Sequence, residues 1–138
     1  MRVQSVKPAP SIGGASVPHT AVEFEEKETL RGKVIRFCEV SDNLKDVVFD
    51  GCFFSYVSFD YRSLERVTFL NCFFENVGFS WTLFDRVTFD GCQIWGTDFR
   101  FAEFKNCFRS EGSWQENLWR SAKVEDSNFT KGENDAVC

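Results

Sequence analysis

The amino-acid sequence predicts an all-β solenoid in which each coil has four sides. Three observations support this fold class: a large apolar residue recurs at every fifth position, a small residue precedes it by two positions, and the side-chain pattern repeats after twenty residues. Neither an α-helix, with about 3.6 residues per turn, nor a flat strand, with a period of 2, keeps every fifth side chain on one side. A coil that turns a corner every five residues does, and four such units close one circuit.

Two columns of side chains are predicted to point toward the axis of the solenoid. The large column contains Leu44, Phe49, Phe54, Phe59, Leu64, Phe69, Phe74, Phe79, Phe84, Phe89, Ile94, Phe99 and Phe104. The small column contains Val47, Cys52, Val57, Arg62, Val67, Cys72, Val77, Thr82, Val87, Cys92, Thr97 and Ala102. Because each unit buries its apolar side chains only when the next coil stacks on it, the columns predict one continuous core.

A twenty-residue unit is visible in the segments that begin at Val48, Thr68 and Thr88, which match in their Phe, Cys and Val positions. These residues resemble the pentapeptide-repeat family, whose consensus is Ala-Asp/Asn-Leu-x-x. The resemblance covers about residues 44–107. It implies a right-handed quadrilateral β-helix of about three to four coils.

Two features depart from the family pattern. The Asp/Asn position of the consensus is occupied mostly by other residues, and only Asp98 conforms within the clear repeats. Arg62 stands in the small column, where an unpaired charge directed at an apolar axis would cost several kcal/mol. The sequence therefore predicts a distorted corner at Arg62, with the guanidinium group reaching solvent.

The chain is divided into four segments. Residues 1–30 are expected to form a flexible N-terminal arm, because the first 22 residues are rich in Ser, Pro, Gly and Ala and lack apolar periodicity. An ordinary mobile terminus and a secretion or attachment signal are both open for this arm. Residues 31–43 are expected to cap the solenoid with a strand near Lys33 to Val40, and residues 44–107 form the β-helix.

Residues 108–138 are expected to form a C-terminal cap, a partial coil and a tail. The five-residue pattern is interrupted at Arg109, and the residues from Ser113 to Glu116 resemble a capping box that opens a short helix. Val124 and Phe129 return to the large column and indicate a last partial coil. Residues 108–121 therefore form either a helix that caps the end or a segment that bulges from the solenoid, and both alternatives remain open.

The composition excludes several classes of function. A net charge of −5 and a pI near 4.9 argue against a direct nucleic-acid binder or an anionic-membrane binder, since both need a basic face. No apolar run approaches the roughly 20 residues of a membrane span. Cys52, Cys72 and Cys92 recur among apolar neighbours and are interpreted as reduced core thiols, so a cytoplasmic protein is expected.

No enzymatic chemistry is predicted. The interior is filled with Phe, Val and Cys, and the sequence lacks a Gly-rich phosphate loop, a pair of histidines and a Cys-x-x-Cys motif. We assign no catalytic, cofactor-binding or metal-binding residues. An enzyme would require the chain to be one part of a larger assembly.

Stacked aromatic rows on the outer surface are the candidate partner-binding residues. One edge carries Tyr61, Trp81 and Phe101, with Leu83 nearby. A different side carries Phe53, Phe73, Tyr56 and Trp95. Protein interfaces favour Tyr, Trp and Phe, whereas soluble proteins expose few continuous apolar patches. The alternative is that the N-terminal arm or the segment around Trp114 and Trp119 covers these rows.

The leading hypothesis is a non-enzymatic protein-binding scaffold, such as a bacterial effector delivered into a host cell or a phage-encoded inhibitor of a host protein. The partner is a protein of unknown identity, and the same rows also suit a homodimer. The family resemblance implies an alternative: some pentapeptide-repeat proteins, including quinolone-resistance proteins, mimic DNA and engage DNA gyrase.

Overall fold

The computed structural model describes residues 1–6 and 19–130, and all regular elements in these residues are β-strands. In chain order the strands are β1 (Arg2–Val6), β2 (His19–Glu23), β3 (Thr29–Arg31), β4 (Val34–Val40), β5 (Leu44–Lys45), β6 (Val48–Asp50), β7 (Phe53–Ser58), β8 (Ser63–Glu65), β9 (Thr68–Leu70), β10 (Phe73–Glu75), β11 (Leu83–Asp85), β12 (Thr88–Asp90), β13 (Gln93–Trp95), β14 (Glu103–Lys105), β15 (Phe108–Ser110), β16 (Ser113–Gln115) and β17 (Lys123–Glu125). Within the described ranges there is no helix that could cross a membrane.

The strands stack into a four-sided β-solenoid. Sheet A has the order β1-β2-β4-β7-β10-β13-β16, sheet B the order β15-β12-β9-β6-β3, and sheet C the order β17-β14-β11-β8-β5. The fourth side is held by isolated parallel bridges that join Ser58 to Gly78, Gly78 to Asp98 and Asp98 to Leu118. Sheets B and C each contain five strands, so the solenoid makes about five turns rather than the three to four expected. The predicted all-β solenoid is confirmed.

The large column forms the core, as predicted. Every member from Leu44 to Phe104 is at most 2% exposed. Phe rings of successive coils stack nearly parallel: the Phe49 and Phe69 centroids are 5.1 Å apart and the Phe84 and Phe104 centroids 4.2 Å apart. Rings on neighbouring sides meet edge to face, as Phe69 and Phe74 do at 5.1 Å. Both arrangements are favourable for aromatic pairs, so the column stabilises each coil against the next.

The small column ties each coil to the preceding one. The Sγ–H groups of Cys72 and Cys92 donate to the backbone carbonyls of Phe49 and Phe69, at 3.3 and 3.2 Å. The Thr82 hydroxyl donates to the carbonyl of Phe59 at 2.9 Å. At these three positions a small side chain with one donor fits, because a buried carbonyl has a second lone pair to satisfy; the Val residues and Ala102 of the column contribute packing only.

Arg62 does not distort its corner, contrary to the prediction. Its backbone N–H donates to Phe59 O at 3.1 Å, and the equivalent bond from Ala102 to Phe99 has the same length. Its Nε donates to the carbonyl of Val40 at 2.9 Å. Arg62 thus occupies the place of the Cys and Thr donors, and this hydrogen bond removes the cost that the prediction assumed.

The corners of the solenoid lie at every fifth residue and have left-handed backbone conformations. From Asp46 to Asp126, each fifth residue has a positive φ. Gly or Asn, which adopt this conformation most readily, occupies the corners at Gly51, Asn71, Asn76, Gly91, Gly96 and Asn106. Asp46 and Asp126 also tolerate it, whereas the corners with Tyr, Trp, Phe, Arg, Glu or Ser are not explained by local preference.

The solenoid begins earlier in the chain than expected. Residues 1–30 were predicted to be a flexible arm, but within the described residues this region contains β1, β2 and β3, with Leu30 buried against the core. β4 is an internal strand of sheet A, because β2 pairs with its far side and β1 pairs antiparallel to β2. Residues 7–18, most of the remaining predicted arm, lie outside the described residues.

Residues 108–125 form a further coil in register, so the predicted helix is wrong. The residues expected to open that helix contain β16, which pairs with β13 so that Trp114 stacks on Ile94. Arg109 stands in the large column beside Phe89, and its guanidinium carbon lies 4.4 Å from the centre of the Trp114 ring. Trp114 and Trp119 are buried. The predicted last partial coil is present in β17 and the buried Phe129.

Candidate functional site

Two thiols buried in the described part of the chain, those of Cys38 and Cys107, have raised pKa values. Burial raises the pKa of the Cys107 thiol, and burial followed by the charge of Glu39 raises the pKa of Cys38 to about 11. Such thiols stay protonated near neutral pH and are poor nucleophiles and metal ligands. Among the described residues, no group of three or more His, Cys, Asp or Glu side chains is placed to hold a metal ion.

The predicted edge row lies on the corner between the fourth side and sheet C, and we call Tyr61, Trp81, Phe101 and the adjacent Leu83 the aromatic ridge. Tyr61, Trp81 and Phe101 each occupy a left-handed corner. The Trp81 and Phe101 rings stack with centroids 4.5 Å apart and an angle of 3° between planes. All four side chains are exposed, Tyr61 by 71%. The structure therefore brings these predicted residues together on one convex edge.

The second predicted row lies on the outer surface of sheet A. We call this surface the aromatic face and define it by Phe53, Phe73, Trp95 and the corner residues Phe37 and Tyr56. The Phe53 and Phe73 rings stack with centroids 5.2 Å apart. The Phe37 and Tyr56 rings stack at 5.4 Å. Phe53 is partly exposed, and the other four side chains are exposed.

Phe37 was missed by sequence reasoning although it is 66% exposed. The paired positions in β4 and β7 are nineteen residues apart, as Ile35 and Phe54 show, whereas later coils repeat after twenty. A search at intervals of twenty from Tyr56 therefore passes over Phe37. The strand pattern around Val34 to Val40 gave no signal for Phe37 either, because Arg36 and Phe37 are both exposed and the positive φ of Phe37 interrupts the alternation.

The proposed self-cover by Trp114 and Trp119 does not occur. Both indoles belong to the large column, and their rings stack with Phe99 at 5.8 and 4.5 Å. They fill the axis of the last coil and cannot reach the outer rows. The other alternative was that the N-terminal arm covers the aromatic rows. Part of that arm, residues 7–18, lies outside the described residues.

Charge is distributed unevenly around the solenoid. The two outward rows of sheet A contain Val34, Phe53, Phe73, Gln93 and Ser113, and Arg36, Ser55, Glu75, Trp95 and Gln115. Only Arg36 and Glu75 in these rows are charged. The outward rows of sheet C instead contain Lys45, Glu65, Asp85, Glu103, Lys105, Lys123 and Glu125. The outward rows of sheet C are thus densely charged, whereas those of sheet A carry few charges.

The solenoid resembles solved structures in fold at low sequence identity. No protein-family model matches the chain, and no curated protein matches it. A trypsin-treated form of QnrB1, a plasmid-mediated fluoroquinolone resistance protein, aligns with a TM-score of 0.55 and 16% sequence identity, over 74% of this chain. The chain has the fold of QnrB1. The aligned region spans 56% of the QnrB1 chain, so just over half of that protein is represented.

A second trypsin-treated QnrB1 structure aligns over 86% of this chain and 91% of its own, at 13% identity and a TM-score of 0.36.

Proposed function

We propose that the chain is a non-enzymatic protein-binding scaffold of the pentapeptide-repeat type, which displays aromatic side chains on a rigid solenoid. The main support for this proposal is that Tyr61, Trp81 and Phe101 are exposed and also occupy left-handed corners. A left-handed conformation costs a residue with a Cβ about 1–2 kcal/mol, and exposed rings recover little of this by burial. Because these three rings stabilise neither the backbone nor the core, binding to a partner protein is the best explanation for their presence.

Rigidity supports this role. The continuous core and the parallel pairing between coils hold the ridge in place before binding, so little conformational freedom is lost on association. Aromatic side chains dominate the binding energy of many protein interfaces. The buried free thiols of the described core suit a reducing compartment, and we place the protein in the cytoplasm, either of its own cell or of a host.

The test compares the parent chain with the variant Tyr61→Ser/Trp81→Ser/Phe101→Ser. Light scattering coupled to size exclusion first distinguishes a homodimer from a monomer, and affinity capture from host lysate then identifies proteins retained by the parent alone. The control is Glu103→Ser/Lys123→Ser on the neighbouring sheet C. A folded ridge variant with unchanged mass and unchanged capture would exclude the ridge as a binding surface.

A second candidate function is mimicry of DNA toward an enzyme such as DNA gyrase. The shared fold with QnrB1 and the excess of acidic residues favour it: residues 44–107 contain nine acidic and six basic side chains. Ion pairs weaken the mimicry, because Arg66 binds Asp46 and Glu65, and Arg100 binds Asp98 at 2.8 Å. About five coils at strand spacing span only about 20–25 Å.

Supercoiling by purified DNA gyrase tests this candidate directly. The expected effect of a DNA mimic is inhibition of supercoiling that increases with protein concentration and decreases with salt. Unchanged supercoiling at micromolar protein, with and without a quinolone, would remove gyrase as the target. The scaffold proposal is independent of this result.

A further inference from the structure

We propose that the Tyr61 end of the aromatic ridge takes an arginine side chain of a partner protein, which stacks on Trp81 and pairs with Asp60. This inference rests on the proposed scaffold function and specifies the chemistry that the partner presents to the ridge. We call Tyr61, Trp81 and Asp60 the cation site.

The indole of Trp81 has one covered face and one open face. It stacks on Phe101, one coil further along the chain, with centroids 4.5 Å apart and planes 3° apart. Its other face is therefore turned toward the preceding coil, which contains Tyr61. Within the described residues the Tyr61 ring makes no ring contact, and Trp81 is 51% exposed. Because coils are about 4.8 Å apart, a flat group at the level of Tyr61 would extend the stack by one member.

Asp60 holds its carboxylate beside this open face. Its Oδ1 accepts the N–H of Ser80, the residue before Trp81, at 2.9 Å. The N–H of Tyr61 in turn donates to the carbonyl of Ser80 at 3.0 Å. Gly78 makes room for this arrangement, because a Cβ there would lie 2.7 Å from the same Oδ1. The backbone of the fourth side thus positions the carboxylate next to both corner rings.

The Tyr61 end of the ridge is complementary to a positive charge. Within the described residues, neither Asp60 nor the nearby Asp42 makes an ion pair. Arg62 is the cation closest in the chain, and its Nε donates to the carbonyl of Val40 instead. A carboxylate offers about four lone-pair sites, so Asp60 can accept further hydrogen bonds besides the one from the backbone. A cation that reaches this end would find an acceptor already in place.

An arginine side chain matches these features better than other groups do. Its guanidinium is planar and weakly hydrated, stacks on aromatic faces and presents a fork of N–H donors to a carboxylate. A lysine ammonium is a strongly hydrated point charge and would not extend the stack. An aromatic ring would extend the stack, but it would remove water from Asp60 without replacing the lost hydrogen bonds.

The shape of the ridge favours a different protein over a second copy of the chain. The ridge is a convex corner three coils long, or about 10 Å at strand spacing. Two such corners that face each other would bury far less than the about 800 Å² that a stable interface takes from each partner. An arginine on a protruding segment of another protein reaches the open face of Trp81 without bringing two convex corners together.

The experiment follows the indole N–H signals of the ¹⁵N-labelled full chain by NMR while short peptides are added. The chain has four Trp residues, and the signal that is missing from Trp81→Phe identifies Trp81. A Gly/Ser peptide with one central Arg should shift this signal more than those of the other indoles. The same peptide with citrulline, which keeps the shape of Arg without its charge, should bind at least about threefold more weakly.

Two substitutions test the carboxylate without changing the rings. Asp60→Asn keeps an acceptor for the N–H of Ser80 but removes the charge, so it should weaken binding of the Arg peptide at least about threefold. Gly78→Ala should also weaken binding, because its Cβ displaces the carboxylate at a residue without a positive φ. Glu75→Gln on sheet A is the matched control. It removes the same charge from a different side and should leave binding unchanged.

Four results decide between the alternatives. Equal binding of the Arg and citrulline peptides, or no shift of the Trp81 signal at tens of millimolar peptide, would overturn the cation site. Capture of a protein that needs the ridge rings but persists in Asp60→Asn would also overturn it, while the scaffold function stands. Binding of the Arg peptide without any ridge-dependent capture would support the site and exclude the scaffold function. A parent dimer that dissociates in Arg120→Gln would contradict a different partner, because a second copy would then supply the arginine.

Discussion

The ring of Trp81 lies parallel to the ring of Phe101, with centroids 4.5 Å apart, and both residues have left-handed backbones with φ of 58° and 62°. The stack is worth about 0.5–1.5 kcal/mol, which roughly balances the backbone cost of one such corner. The pair occupies two such corners, so a single stack leaves it a net cost to folding of about 1–2 kcal/mol, and the exposed rings are available for binding.

Replacing the ridge rings by Asn is expected to leave the protein stable. For Tyr61→Asn we expect the free energy of unfolding to stay the same or rise by up to about 1 kcal/mol, because Asn adopts the left-handed corner more readily than Tyr. Trp81→Val should lower it by about 1–2 kcal/mol, since a β-branched residue is strained there and the stack is lost. Urea unfolding measures both. A loss above about 2 kcal/mol for Tyr61→Asn would show that the ring is structural.

Adjacent positions in β10 provide a matched test of the inward register. Phe74 is fully buried in the large column, whereas its neighbour Phe73 is 40% exposed on the aromatic face. Phe74→Asp should prevent folding, because an unpaired carboxylate would lie among stacked rings. Phe73→Asp should fold with native circular dichroism. Similar behaviour of the two variants would contradict the assigned register.

Gly112, which stands in the small column directly after the corner at Glu111, is expected to be harder to replace than the corner glycine Gly51. A Cβ at this position would lie 2.0 Å from the carbonyl oxygen of Cys92, a backbone atom that cannot move alone. At Gly51 a Cβ would meet nothing within 4 Å, so Gly51→Ala is limited to the strain of its positive φ. We expect Gly51→Ala to cost about 1–2 kcal/mol and Gly112→Ala clearly more. Thermal unfolding of the two variants gives the comparison, and equal losses would argue against a tight approach of these coils.

Stability is expected to fall in alkaline solution because of Cys38. Burial, followed by the charge of Glu39, raises its pKa from 9.0 to about 11 in the folded chain. Between pH 9 and 11 the unfolded thiol has lost its proton while the folded one keeps it, so the unfolded state binds fewer protons and stability decreases as pH rises. The decrease from this group is at most about 2–3 kcal/mol.

The Cys38→Ala variant isolates this contribution. Unfolding free energies of parent and variant, measured under reducing conditions from pH 8 to 11, should converge as the pH rises, because the variant lacks the titrating thiol. Parallel curves over this range would mean that Cys38 titrates normally in the folded protein.

The inward columns could be predicted from sequence because their chemistry is periodic along the chain. Leu44 to Phe104 needed no structural information, since every fifth residue is large and apolar. The coil from Phe108 to Glu125 was missed because Arg109 and Gly112 interrupt that chemistry. Its register was nevertheless visible: Arg109, Trp114, Trp119, Val124 and Phe129 continue the same spacing of five.

The ends of the solenoid were harder to predict because their repeat length changes. Leu30 pairs with Phe49, nineteen residues later, and Val22 pairs with Val40, eighteen residues later. A fixed interval of twenty therefore stops at the first complete coil. At the other end, Asn128 accepts from the N–H of Arg109 and donates to its carbonyl, both at 2.7 Å. Such a bond between a side chain and a distant backbone has no local sequence signature.

The candidate binding surfaces divide in the same way. Rows that follow the twenty-residue interval, such as Trp81 with Phe101 and Phe53 with Phe73, were predicted from the sequence. The stacking of Phe37 on Tyr56 and the scarcity of charge on sheet A became apparent only in the assembled structure.

The five-residue coil and the side chains that face its axis follow from the order of the amino acids alone, because burial selects large apolar residues at a constant interval. The number of coils, the closure of the ends and the pairing of outward rings follow only from the folded chain. These features depend on contacts between residues eighteen to twenty positions apart. Which of these intervals a given coil uses is fixed only when its strands pair with those of the next coil.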